Sequence, residues 1–184
     1  MSAPQAKLER LMAYSLYDAS IPVFLHMLRN LDAILDKAEA HAKANGVDLQ
    51  TYVDARLAPD MHPLTNQIQL ASDAAKSGAA RLAGVTPPSF PDTETTWPEL
   101  KARIAKTIDF LEGVKREQVD GREDAVVELP LPGRTLSFSG RDFLARFAVP
   151  NFLFHVTTAY ALLRAQGVPL GKLDFLNGAG AIAI

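Results

Sequence analysis

The sequence contains no cysteine, which excludes disulfides, thiolate nucleophiles and every cysteine-bearing zinc pattern. Any metal would have to be held by His, Asp, Glu, Asn or Gln. An excess of positive charge is also missing: 19 Lys and Arg stand against 21 Asp and Glu, for a formal net charge of -2. Such a balance offers no electrostatic footprint for a phosphate backbone, so no nucleic acid is expected as a partner. No apolar run reaches the roughly 18 residues of a membrane span. The opening MSAPQAKLER lacks the apolar stretch of a signal peptide. A cytoplasmic protein with no membrane partner is therefore expected. Nucleophile-elbow, phosphate-loop, zincin and dinucleotide fingerprints are absent as well.

What is present is ordinary globular material, with 48% hydrophobic and 22% charged residues over 184 positions. That is enough apolar surface for one sizeable core and below the length at which cores usually divide. One domain over residues 1–184 is expected, with an N-terminal extension over 1–14 and a loose apolar tail over 178–184.

Helical spacing dominates. From Ile21 to about Asn45, Phe24, Leu28, Leu31, Leu35 and Ala38 share one face, with Pro22 in the first turn and Gly46 as the stop. A shorter helix is expected over Leu8–Tyr17, and another within Asp48–Leu57. Asp60 reads as the cap of a second long helix carrying Met61, Leu64, Ile68, Ala71, Ala75, Gly78 and Leu82, a small-residue face suited to close helix packing, and Gly84 ends it. Thr96-Trp97-Pro98-Glu99 opens a third helix running through Leu111 and Val114. AVVELPLPGRTLSFSG alternates apolar and polar residues around Pro132-Gly133, as a short β-hairpin would. Ser139 and Asp142 then cap a fourth helix that ends at Gly167-Val168-Pro169. The expected fold class is all-α: an antiparallel four-helix bundle with one short β-hairpin before the last long helix.

Candidate chemistry gathers on the inward faces. Asn151 and His155 lie one turn apart on the stripe Leu144, Ala148, Asn151, His155, Thr158 and Leu162. Pro150, just before them, is expected to kink the helix. Gln67 lies beside the inward stripe of the second helix, where it could hydrogen-bond or ligate. His62 is expected in that helix's first turn, where the positive dipole end favours a neutral imidazole. Each of these also has a purely structural reading. His26, with Asn30 and Lys37, is expected on a solvated face.

The strings SLYDASIPVFLHMLRNL, RLAPDMHPLTNQIQLASDAAK and PNFLFHVTTAYALLRAQGVPLGKLDFL resemble the domain-of-unknown-function family DUF1993, from Ser15 to Asn177. That family is similar to the DinB/YfiT-like superfamily of four-helix bundles. The resemblance implies a homodimer and, in many superfamily members, a divalent metal on three histidines. It also implies thiol-dependent transferase or hydrolase chemistry in better-known relatives. This sequence offers Asn151 and His155 where those relatives carry a histidine pair. Three readings stay open: a bundle with a semi-polar pocket around Gln67, Asn151 and His155 that binds a small molecule; a divalent-metal enzyme using His155, with His62, Gln67 or Asn151 and water completing the shell; and a structural or interaction bundle.

Overall fold

The computed structural model describes residues 14–182 and is mostly helical, with one two-stranded antiparallel hairpin. Helix α1 (Ile21–Asn45) opens with a proline in its first turn and closes on Gly46, whose φ of 64° is left-handed. Glycine adopts that conformation without steric cost, so the helix stops there. The short helix expected over Leu8–Tyr17 lies largely outside the described residues, and residues 16–20 form a turn. Helix α2 (Leu49–Val53) is capped by Asp48, whose carboxylate accepts from the Gln50 amide at 2.9 Å.

Helix α3 (Leu64–Ala83) begins at Leu64 rather than at Asp60. Pro63 supplies the reason, because a proline biases the residue before it away from helical angles. His62 therefore precedes the helix and is exposed, not placed on its dipole as expected. Residues 84–96 form an extended crossover into α4 (Trp97–Gly113), whose start is fixed by Glu99 accepting from the amides of Thr95 and Thr96 at 2.8 and 2.9 Å. A short helix α5 (Arg116–Val119) follows.

Strands β1 (Val126–Leu131) and β2 (Arg134–Ser139) pair in register from Val126 opposite Ser139 to Leu131 opposite Arg134. That leaves Pro132-Gly133 as the two-residue turn, with Gly133 at φ 75°. Ser139 caps helix α6 (Gly140–Phe143), its hydroxyl accepting from the Asp142 amide at 3.2 Å. A π-helical turn, Leu144–Ala148, joins α6 to α7 (Val149–Ala165) without a break, so Pro150 stands mid-helix as expected, just after the wider turn. The wider turn accommodates the carbonyl that proline, lacking an amide hydrogen, leaves without a donor.

The core side chains come mainly from α1, α3, α4 and α7, which pack as α1 with α4 and α7, and α3 with α4 and α7. Direction follows from who meets whom. Arg29 pairs with Glu112 and Asp36 with Lys101, so α1 and α4 run antiparallel. Gln67 meets His155 while a Cβ at Gly78 would lie 3.5 Å from that of Ala148, so α3 and α7 do likewise. By contrast, α3 and α4 start at the same end: Thr65 bonds Val53 of α2 at 3.0 Å, and Trp97 lies against Tyr52 of α2. The long crossover carries the chain back along the molecule, so α3 and α4 run parallel. The direction is thus antiparallel at the α1–α4 and α3–α7 seams and parallel at α3–α4, and α1 and α7 also start at the same end, where Phe24 and Phe152 of their first turns meet.

The polar face of α1 is only partly solvated: Lys37 is exposed as expected, but His26 is half-buried and Asn30 buried. Helix α8 (Lys172–Asn177) covers it: His26 Nε2 lies 2.7 Å from the Leu176 carbonyl, Asn30 donates to that of Phe175 at 3.0 Å, and Lys37 pairs with Asp174. Beyond α8 the chain bonds back to α1 and to itself as far as it is described. Asn30 accepts from the Ala179 amide at 3.0 Å, and Asn177 bonds both the amide and the carbonyl of Ile182 at 2.7 Å.

Candidate functional site

Two residues singled out from the sequence meet across the α3–α7 seam. His155 Nδ1 lies 2.8 Å from Gln67 Oε1, and both residues are buried. The Gln67 amide nitrogen donates to the His62 carbonyl at 3.3 Å, which orients the carboxamide with its oxygen toward the ring. An amide oxygen only accepts, so Nδ1 carries the proton and Nε2 keeps its lone pair. Burial, with a smaller contribution from the nearby His62 imidazole, holds His155 below its ordinary value and hence neutral near pH 7. Nε2 has no hydrogen-bond partner among the described residues, nor is it sealed from solvent. The exposed Phe154 ring stands edge-on to the imidazole, with centroids 5.2 Å apart. The couple thus presents one fixed, neutral acceptor nitrogen beside an exposed aromatic.

Asn151 lies elsewhere. Half-buried one turn earlier on α7, it lines a groove of about 560 Å³ between α3, α7 and β1, together with Gly78, Arg81, Leu129 and Phe147. Neither His155 nor Gln67 lines that groove. Small residues on α3, among them Ala74, Ser77 and Gly78, leave the space open there. Asn151 therefore does not close a three-residue pocket with the Gln67–His155 couple.

A polar cluster around Arg103 was not singled out from the sequence. Its guanidinium is 1% exposed and bonds Ser72 Oγ at 2.8 Å, Asp73 at 2.7 Å, Glu94 at 3.0 Å and the Pro91 carbonyl at 3.1 Å. Lys106, Lys76 and Arg103 also gather on the Phe90 ring, at 4.0, 5.0 and 5.6 Å from its centroid. Burial alone would raise the Glu94 carboxyl, yet its bonds from Gln69 and Arg103 hold it below the usual range. The signal was available, since Arg103 shares the α4 stripe of Leu100, Ile104, Thr107 and Leu111. Every acceptor is matched, so the cluster ties the crossover to α3 and α4.

The donor set does not fit a three-histidine metal. Among the described residues no three His, Asp or Glu side chains converge as ligands. Gln67 Oε1 is already committed to the imidazole. No helix among them is long and apolar enough to cross a membrane.

Comparison with known proteins agrees with this architecture. A family model described as a domain of unknown function, DUF1993, matches residues 16–176. A crystal structure of a DinB family member protein from Shewanella denitrificans superimposes with a TM-score of 0.82 at 42% identity, covering 92% of this chain and 94% of that one. No curated protein matches the chain.

Proposed function

The chain belongs to the domain-of-unknown-function family DUF1993, and from that premise we propose that it is a cytoplasmic, homodimeric four-helix-bundle protein that binds a small molecule at the α3–α7 seam. The recognising group is His155. The observation that supports this reading is the His155–Gln67 couple: the 2.8 Å bond fixes the tautomer and leaves Nε2 as a rigid, partnerless acceptor beside Phe154. A neutral imidazole so held suits a ligand that brings a hydrogen-bond donor and a flat apolar surface.

The test is long-range 1H–15N NMR of histidine-labelled protein during a screen of aromatic fragments carrying N–H or O–H donors. Binding should move the Nε2 resonance of His155 while Nδ1 stays protonated. An imidazole that titrates like a free histidine and answers no fragment would overturn the reading. Elemental analysis of protein purified without chelator or affinity tag covers the rival. Near-stoichiometric divalent metal that is lost in His155→Gln would replace it with a DinB-like metalloenzyme.

A further inference from the structure

We infer that the groove between α3, α7 and β1 is a second binding site, for a small monocarboxylic acid whose carboxylate sits on Arg81 and whose apolar body lies against Leu129, Leu131 and Phe147. This goes beyond the His155 site, which shares no lining residue with the groove.

The groove is largely apolar, and its volume of about 560 Å³ falls within the range of roughly 300–1,000 Å³ typical of small-molecule sites. Arg81 is its one cation. The guanidinium is half-buried and has no carboxylate partner among the described residues; its only side-chain bond is a long one, 3.4 Å to the Ser77 carbonyl. Burial pushes its pKa down, the mark of a cation that has lost water without gaining an acid. Arg103, buried far more deeply, meets three carboxylates. A buried or half-buried guanidinium ordinarily finds such a partner, and Arg81, set in the groove wall, has none among the described residues.

The one acid in the groove does not fill it. Asp73 lines the same space, but its Oδ1 lies 2.7 Å from both Arg103 and Lys76, which neutralise it. Asn151 contributes an amide with no side-chain partner of its own among the described residues, able to donate to a carboxylate oxygen. A single guanidinium and one amide match a monoanion, whereas a phosphate dianion would need a second cation. One wall comes from the π-helical turn, which supplies Phe147 and Ala148. Such turns are frequent where helices shape binding sites.

The experiment is calorimetric titration of the full chain with octanoate and with octanamide, which share the tail and differ in charge. Octanoate should bind saturably, and octanamide about tenfold more weakly, the discrimination expected of one charge-assisted contact. Arg81→Gln should bring octanoate down to the octanamide affinity and leave octanamide unchanged. Absence of saturable octanoate binding at millimolar concentration, equal affinity for the two probes, or an unaltered Arg81→Gln variant would each overturn the inference. Should Arg81→Gln fail to fold, the ratio of the two probes on the wild-type chain still decides.

Discussion

His155 Nδ1 and Gln67 Oε1 meet at 2.8 Å although they are 88 residues apart in sequence, so the bond joins the middle of the chain to its last long helix. Removing one partner strands the other in a buried seam. His155→Gln and Gln67→Leu should each cost about 1–3 kcal/mol in denaturant unfolding. Because both remove the same bond, the double variant should cost less than the sum by roughly 0.5 kcal/mol or more. Strict additivity would show that the bond carries nothing. Leu162→Ala, a buried apolar truncation on the same helix, should cost about 2–5 kcal/mol and leave the His155 tautomer as it was.

Stability should fall on mild acidification because of the same imidazole. Its folded pKa is depressed below the ordinary histidine value of 6.5 by burial, so the unfolded chain binds the proton more readily. Stability is therefore full above that value, declines as pH drops through it, and stops declining below the folded pKa. Denaturant midpoints between about pH 8 and about pH 5 should trace this step. His155→Gln should flatten it, and an unchanged profile in that variant would assign the step to another group.

At stronger acid a second step is expected from Asp18. Its hydrogen bond from Arg116, aided by Ser15, lowers its carboxyl from 3.8 to about 2. The contribution is complete above the unfolded value and lost as pH falls through the folded one. Asp18→Asn should shift acid unfolding to higher pH. An identical acid midpoint would show that the Asp18–Arg116 pair leaves the fold indifferent.

Arg103→Met should cost roughly 3–5 kcal/mol, since it leaves buried acceptors without their cation. Because Pro91, Asp92 and Glu94 are held by that side chain, limited proteolysis should begin cutting within residues 85–96 of the variant. A variant as stable and protease-resistant as the wild type would show that the crossover is held by packing alone.

The proposed homodimer should scatter light as about twice the 20.0 kDa of one chain. Leu173 and Leu176 are exposed apolar side chains of α8, and a second copy seated on them is the dimer to be tested. Leu173→Lys should then return the mass to that of one chain. A wild-type mass near 20.0 kDa at micromolar concentration would dispose of the dimer.

The long helices were legible because their evidence is local: Phe24, Leu28, Leu31 and Leu35 repeat at helical spacing, and Glu99 caps from three residues away. The hairpin was legible from Pro132-Gly133 between alternating strands. Gln67 and His155 could be assigned inward positions one helix at a time, and both are buried. What escaped was non-local or contested. At the start of α3 the cap signal of Asp60 competed with the backbone restraint of Pro63, and the proline won. The cover over His26 and Asn30 comes from α8, whose bonds to them span about 150 positions. The separation of Asn151 from His155 depends on small residues of α3 that open the groove, a property of two helices together.

The π-helical turn between Leu144 and Ala148 also fixes an angular phase. It spends one residue more than an α-turn would, so the helix face entering from the hairpin side is out of step with the face that leaves. Rewinding the turn as α-helix with all its residues kept would rotate all of α7 relative to Ser139 and Phe143 by about 100°. His155 would then swing off Gln67, and Phe152 off the Phe24 ring it meets edge-on at 5.1 Å. The turn is thus a clutch plate: the hairpin is aligned to one side of the protein and the core-facing stripe to another, with one extra residue taking up the difference between them.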